Sequence, residues 1–486
     1  MELHAFEREA AQVDVVPAVP AGHVERSSAC YARAASTAAP AMARKLANVL
    51  IWLSLTAEVE GFVFHGMWDT WLTAIGTFIF RAQFLHLIPW DLLVVGVIAA
   101  THGSRKNRVL AMNKTLWVSC AGLFLIWVWG IVRGGNAHQT VWQLHNYVAG
   151  TVLVAFMVMN TCRTRAHVQS LANVVMLAMA YRVGVLLSFY FAVARDLEEE
   201  LPYLTEHTDS ILFVAGIYVA VATALEEPSR KRVMILLGVT VLAFTAIVLN
   251  NRRIAWLSVG VGALMTYLVF PPGPKKRRLT RVLIGLSPLF AVYVAVGWNH
   301  PTGIFKPVGS ITSMFGAKQD MSSIMRDIEN FNLILTLRTN ALFGMGWGHE
   351  YIERIVAIDI SAIFPQYRFM PHNSLLGLIS FTGMVGFAMI WQCVVTGVYM
   401  HARVLRESVD PILRACGLWS IVATVAVVVQ FWGDIGFNHL GCNTLLGVAL
   451  GLAGRTPALA GIWPGTGPTS AAVDSAPTAV PVGHQV

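Results

Sequence analysis

Charge is scarce in this 486-residue chain. Asp, Glu, Lys and Arg together make up 13% of it, about half of the roughly 25% usual for a soluble domain. That scarcity excludes an ordinary solvated surface. Cysteine is also little used, and Cys30, Cys120, Cys162, Cys393, Cys416 and Cys442 show no CxxC spacing, so neither a zinc site nor a disulfide framework is expected. No DxD or His/Asp/Glu spacing points to a bound metal, and no cofactor is expected. The first 45 residues lack the apolar core of a signal peptide and read as an uncleaved, flexible tail. Residues 455–486 are rich in Gly, Pro, Ala and Ser and read as a disordered tail.

What is abundant is apolar sequence, 56% of the chain. It comes in runs separated by short polar breaks, each run long enough for the roughly 17–25 residues that cross a bilayer. Backbone groups in lipid must be satisfied within the segment, so such runs are helices. The expected fold is an all-α polytopic membrane protein of about twelve spans, near 46–64, 85–102, 115–133, 144–162, 170–194, 210–226, 233–250, 254–271, 281–298, 373–400, 412–432 and 439–454. The organisation that follows is a tail (1–45), nine spans (46–298), a large loop (299–372), three further spans (373–454) and a second tail (455–486). The net charge of +8 sits in the breaks, where membrane topology accounts for it without nucleic acid as a partner.

The breaks alternate. THGSRKNRVLAMNK (101–114), TCRTRAHVQ (161–169), EEPSRKRV (226–233), PPGPKKRRLTR (271–281) and HARVLRESVDPILR (401–414) are basic. RGGNAHQTVWQ (133–143), RDLEEELPYLTEHTD (195–209) and GDIGFN (433–438) are poor in Lys and Arg or acidic. Basic loops stay in the cytoplasm, which places both termini there. The pair Arg252–Arg253 and the long loop then fall outside, and His372 lies at the external mouth of its helix.

Several polar residues invite a chemical reading. Arg252 and Arg253 in NNRRIAWLSV break the charge rule on the external side. They either snorkel to lipid phosphate or bind a phosphate or pyrophosphate, which the planar guanidinium fork suits. The long loop exceeds the ordinary loop length and contains an expected helix beginning near Arg326 and ending near Arg338, with apolar residues around Phe331 and Leu335 at helical spacing. That helix is expected to lie on the membrane, with Arg338 a solvated charge. The glycine turn GMGWG after it is a weak signal. In PHNSLLGLISFTGMVG, Pro371 and Asn373 favour a helix start. His372 between them is either part of that start or a base beside an acceptor hydroxyl. Gly377, Gly383 and Gly386 suit close helix packing. Arg182 lies inside a span, where it lines a cavity or pairs with Glu58 or Glu60. His439 and Asn443 read as polar residues opening a helix.

Taken in order, the arginine before the apolar span (NNRRIAWLSV), the external arginine followed by NALFGMGWG, and PHNSLLGLISFTGMVG resemble the O-antigen ligase/polymerase family of bacterial inner-membrane glycosyltransferases. The resemblance implies a GT-C-like architecture with its site facing the periplasm. It also implies transfer of a glycan from an undecaprenyl-pyrophosphate carrier to lipid A-core or a growing polysaccharide, without a metal. Arg253, with Arg252 as neighbour or substitute, and Arg326 match the family's pyrophosphate-binding arginines. His372 matches its acceptor-side histidine and Asn373 that residue's companion. A ligase, a repeat-unit polymerase and, further off, a protein O-oligosaccharyltransferase share this chemistry. A transporter would instead show inverted repeats and paired midplane charges, and no internal repeat is visible.

Overall fold

A computed structural model describes residues 41–56, 79, 88–101 and 109–463, less 199–200, 202, 227–228, 301–304, 316–320 and 363. The described residues are helical with no strand. Among the described residues fourteen helices of ten residues or more carry the fold: α1 (Ala41–Thr56), α2 (Pro89–Ala100), α3 (Leu110–Val132), α4 (Ala137–Thr161), α5 (Arg165–Ala192), α6 (His207–Glu226), α7 (Arg230–Asn250), α8 (Arg253–Val269), α9 (Pro274–Asn299), α10 (Lys306–Phe315), α11 (Met321–Thr339), α12 (Ser374–Glu407), α13 (Pro411–Gly433) and α14 (Leu440–Ala453). Each of the twelve expected spans falls on one of these. Eight, namely α3 to α7, α9, α12 and α13, are long and apolar enough to cross a membrane. Over the described residues the expected spans at α1, α2, α8 and α14 are helices of 16, 12, 17 and 14 residues, with 57–64, 85–87 and 102 of the first two spans outside those residues. The chain is a multi-pass membrane protein.

Helices α6 and α13 form the centre, with 83% and 72% of their apolar stretches buried, whereas none of that of α9 is buried. Helix α9 therefore stands at the rim with Leu283, Ile284, Leu289 and Phe290 exposed, a surface suited to lipid. Close contact in the interior uses small residues. Gly447 and Gly451 of α14 abut the backbone carbonyls of Gly150 and Ala155 beside a π-helical stretch, Tyr147–Leu153, of α4.

The connections segregate to two ends. At one, Val109 N–H donates to Gly454 O, Arg455 to Cys162 O, and Glu226 binds both Arg414 and Lys275. At the other, Asn136 N–H donates to Gly348 O, Thr205 N–H to Asn250 Oδ1, and Ser374 Oγ to Asp434 O. Those are the basic and the non-basic connections respectively, so the alternation of charge along the chain becomes a separation in space. The expected tail boundary at 455 falls early. Arg455 is buried and Thr456–Leu459 adds a further helical turn, because the guanidinium is anchored on the α4 terminus. Cys30, Glu58, Glu60 and most of both tails lie outside the described residues.

Arg182 has a partner among the described residues, while the expected pairing with Glu58 or Glu60 lies outside them. It is buried, and its Nε and Nη2 donate to Asp209 Oδ1 and Oδ2 at 2.7 and 2.6 Å, with Nη1 3.4 Å from Thr56 O. A bidentate pair of this kind ties α5 to α6 and α1. Replacing Arg182 by Met leaves Asp209 buried without its counter-charge, and a loss of about 3–5 kcal/mol is expected. Thermal unfolding in detergent would show it, and adding Asp209→Asn should recover much of the loss.

Helix α12 is also not what its glycines suggested. Gly383 has φ 63° and ψ −176°, breaking the helix. The opened backbone is met by residues 341–346: Met345 N–H donates to Ser380 O, Gly346 N–H to Phe381 O, Met384 N–H to Ala341 O and Val385 N–H to Leu342 O. Non-helical backbone within a membrane protein needs such cover. The NALFGMGWG stretch supplies it, with Gly344 and Gly346 at φ 66° and 90° and Trp347 buried. Gly377 and Gly386 keep the packing role, against Pro371 and Ile126.

Candidate active site

The site grows from three pieces of chain that meet at the non-basic end. The first is the start of α12. Pro371 packs on Gly377, and Asn373 caps the helix, its Oδ1 accepting Leu376 N–H at 3.0 Å while its Nδ2 donates to Asn330 Oδ1 at 3.0 Å. His372 is pinned between these two. Its backbone N–H donates to Glu329 Oε2 at 3.0 Å, and its ring Nδ1 lies 3.4 Å from Glu329 Oε1.

The second piece is α11. Ile324, Phe331 and Ile334 are exposed, as an apolar face toward lipid requires. The opposite face does not meet water. Glu329, Asn332, Leu333 and Thr336, at helical spacing, are buried. Asn332 Oδ1 accepts the N–H groups of Arg354 and Ile355, Thr336 Oγ1 accepts Ile352 N–H, and Leu333 O accepts Ser380 Oγ. This polar network fixes α11 against α12 and carries Arg326 and Glu329 to His372. The three residues line a cavity of about 200 Å³ with Met325, Tyr351 and Tyr367.

The third piece joins the starts of α6 and α8 to the α13–α14 connection. Arg252 caps α8 without a side-chain cap bond. Its guanidinium lies 3.6 Å over the ring of Tyr203, donates to Thr205 O at 3.2 Å, and places Nη1 3.2 Å from both ring nitrogens of His207, which is stacking over the imidazole. His207 in turn pairs with buried Asp434, and His439 lies beside it with ring centroids 5.9 Å apart.

Charge couples the pieces. Burial opposes the Asp434 carboxylate, yet His207, Arg326 and His439 together hold it well below the usual carboxylate range. Burial is the largest influence on Arg252 and lowers its pKa; Asp434 supports the cation and Arg326 opposes it. At His372 burial acts against the imidazolium, but the Glu329 hydrogen bond and charge, with Asp434, outweigh it despite Arg326, and the pKa is raised above 6.5. Arg252 and Arg326 thus lie close enough for the charge of one to act on the other, with Asp434 acting on Arg252 and acted on by Arg326; guanidinium groups suit a phosphate-type anion.

Of the residues singled out in the sequence, Arg252, Arg326, His372 and Asn373 come together. Arg253 is half-buried at the first position of α8, and the contacts that tie α8 to His207 run through Arg252. Arg338 is exposed at the far end of α11, about 18 Å along the axis from Arg326. Arg182 pairs with Asp209. Glu329, Asp434, His207 and Tyr203 were not singled out, and His439 belongs to the cluster rather than merely opening α14. Asn443 does brace that opening, donating to Phe437 O and His439 O. A lone acid such as Asp434 at the mouth of a span was the available signal.

A bundle of membrane-crossing helices bearing two arginines, a histidine and buried carboxylates at one end defines a multi-pass membrane protein with a polar site. Residues 238–391 match the family model described as O-antigen ligase. The match contains Arg252, Arg253, Arg326, Glu329 and His372 and ends before Asp434. No curated protein matches the chain.

Proposed function

We propose that the protein is an O-antigen ligase of the bacterial inner membrane, transferring a glycan from undecaprenyl pyrophosphate to a sugar hydroxyl of lipid A-core at the periplasmic face. The observation that supports this reading is that Arg326 and His372 line one cavity, with Arg252 within reach of the Arg326 charge, all inside the family-matched segment. The donor pyrophosphate binds between Arg252 and Arg326, with Arg253 adjoining. The acceptor hydroxyl approaches His372. As its oxygen bonds to the anomeric carbon, its proton passes to the imidazole, and the old glycosyl C–O bond breaks with its electron pair leaving on undecaprenyl pyrophosphate. Fixed guanidinium groups stabilise the charge that develops there, so no divalent ion is required. The basic connections face the cytoplasm, as do both termini.

Purified full-length protein given lipid-linked glycan and lipid A-core should form product in EDTA. Arg326→Ala should lower kcat about 10²-fold or more, the scale of losing one aligned charge-stabilising donor. Unchanged turnover in that variant would remove Arg326 from the site. If repeat units serve as acceptor and lipid A-core does not, the enzyme is a polymerase with the same donor chemistry.

A further inference from the structure

We propose that Glu329 is the positioning residue of this site: its buried carboxylate holds His372 at both backbone and ring, sets the imidazole as its Nδ1–H tautomer, and leaves Nε2 to take the acceptor proton. The role of Nε2 rests on the transferase reading above; the hold on the ring does not.

The geometry is specific. One oxygen of Glu329 accepts the His372 backbone N–H at 3.0 Å and the other faces Nδ1 at 3.4 Å. A neutral imidazole has one donor and one acceptor nitrogen, and an ionised carboxylate only accepts. Nδ1 therefore carries the hydrogen and Nε2 presents its lone pair. Among the described residues Nε2 has no hydrogen-bond partner, and His372 borders the cavity together with Glu329. Glu329 itself is held by its helix, since Asn332 and Thr336 on the same face are bonded to residues 352–355.

The surrounding charges decide what the ring does on receiving a proton. Arg326 on α11 opposes the imidazolium, whereas Asp434 on the α13–α14 connection and Glu329 favour it. Tyr351 and Tyr367, from the segment before α12, close the cavity. Burial, with the negative charge of Glu329, keeps Tyr351 protonated well beyond neutral pH. Proton transfer to Nε2 thus creates a cation already hydrogen-bonded to an anion, and the orientation is in place beforehand.

Glu329→Gln tests this. The amide oxygen can still accept the backbone N–H, but the amide N–H₂ then faces Nδ1 and demands the opposite tautomer. Removing the charge also lowers the His372 pKa. Carbethoxylation of His372 by diethyl pyrocarbonate, followed by peptide mass spectrometry across pH, reads the neutral ring without requiring turnover. Its midpoint should move down by about one unit or more in Glu329→Gln, with the rate below both midpoints rising about tenfold per unit. Glu329→Asp, which keeps the carboxylate, should stay near the wild-type midpoint. In the transfer assay, Glu329→Gln should lower kcat with donor KM unchanged and move the acid limb in the same direction. An unchanged midpoint in a folded Glu329→Gln protein overturns the proposal. A shifted midpoint in Glu329→Gln, alongside a wild-type protein that transfers no glycan to either acceptor, upholds the hold and removes the transferase reading instead.

Discussion

His372→Ala should reduce glycan transfer by about 10²–10⁴-fold, the usual contribution of a positioned general base, while the protein still purifies as a folded species. The side chain is 30% exposed and lines the cavity, so its removal disturbs little packing. Asn373, which caps α12, and Pro371, seated on Gly377, remain to start the helix. The wild-type pH profile carries a second signature. A base acts when neutral, and the His372 pKa is raised above 6.5 because Glu329 and Asp434 outweigh the effect of burial. Activity should therefore fall as pH drops through a value above that of free imidazole, and this limb should vanish from the residual activity of His372→Ala. Turnover within a few-fold of wild type would remove His372 from the chemistry.

Gly383→Ala should be strongly damaging although it lies outside the polar site. At φ 63° and ψ −176° the backbone occupies a region essentially reserved for glycine, worth about 1–3 kcal/mol in strain alone. A Cβ there would also lie 2.3 Å from Leu342 O. Relief requires separating residues 341–346 from α12, which exposes the backbone groups the two segments now exchange. The expected loss is about 3 kcal/mol or more, seen as a lower unfolding temperature and poor recovery from the membrane. A Cβ added at Gly285, on the rim helix α9, would meet nothing within 4 Å, so Gly285→Ala should be neutral or slightly stabilising. Equal melting temperatures for the two variants would contradict the role given to Gly383.

These two positions also mark what the sequence could and could not disclose. The helices were legible because apolar runs of this length have no other stable form in lipid. The two ends of the bundle were legible because Lys and Arg mark alternate connections. His372 and Arg326 were legible from their place beside long apolar runs and from a family resemblance. Gly383 was not, since glycines spaced along a membrane helix read equally as packing sites, and only the carbonyls of 341–346 reveal a break. Glu329 was hidden because α11 carries apolar residues on its outer face, and nothing along the chain says that its polar face is inside. Asp209 and Asp434 were hidden for another reason: each is a single acid whose meaning comes from a partner on a different helix, Arg182 or His207. Pairing across helices is a property of packing, and one chain's sequence carries it weakly.

The central claim is that one polar site at the non-basic end binds a lipid-linked pyrophosphate and passes its glycan to a hydroxyl. The most direct measurement reconstitutes the full-length protein in vesicles with undecaprenyl-pyrophosphate-linked glycan and lipid A-core, in EDTA. It follows both the extended lipid A-core and the released undecaprenyl pyrophosphate. Equal amounts of the two products, lost together in His372→Ala and Arg326→Ala, are the predicted result. Release of neither product, in a folded protein offered both lipid A-core and repeat-unit acceptors, would contradict it.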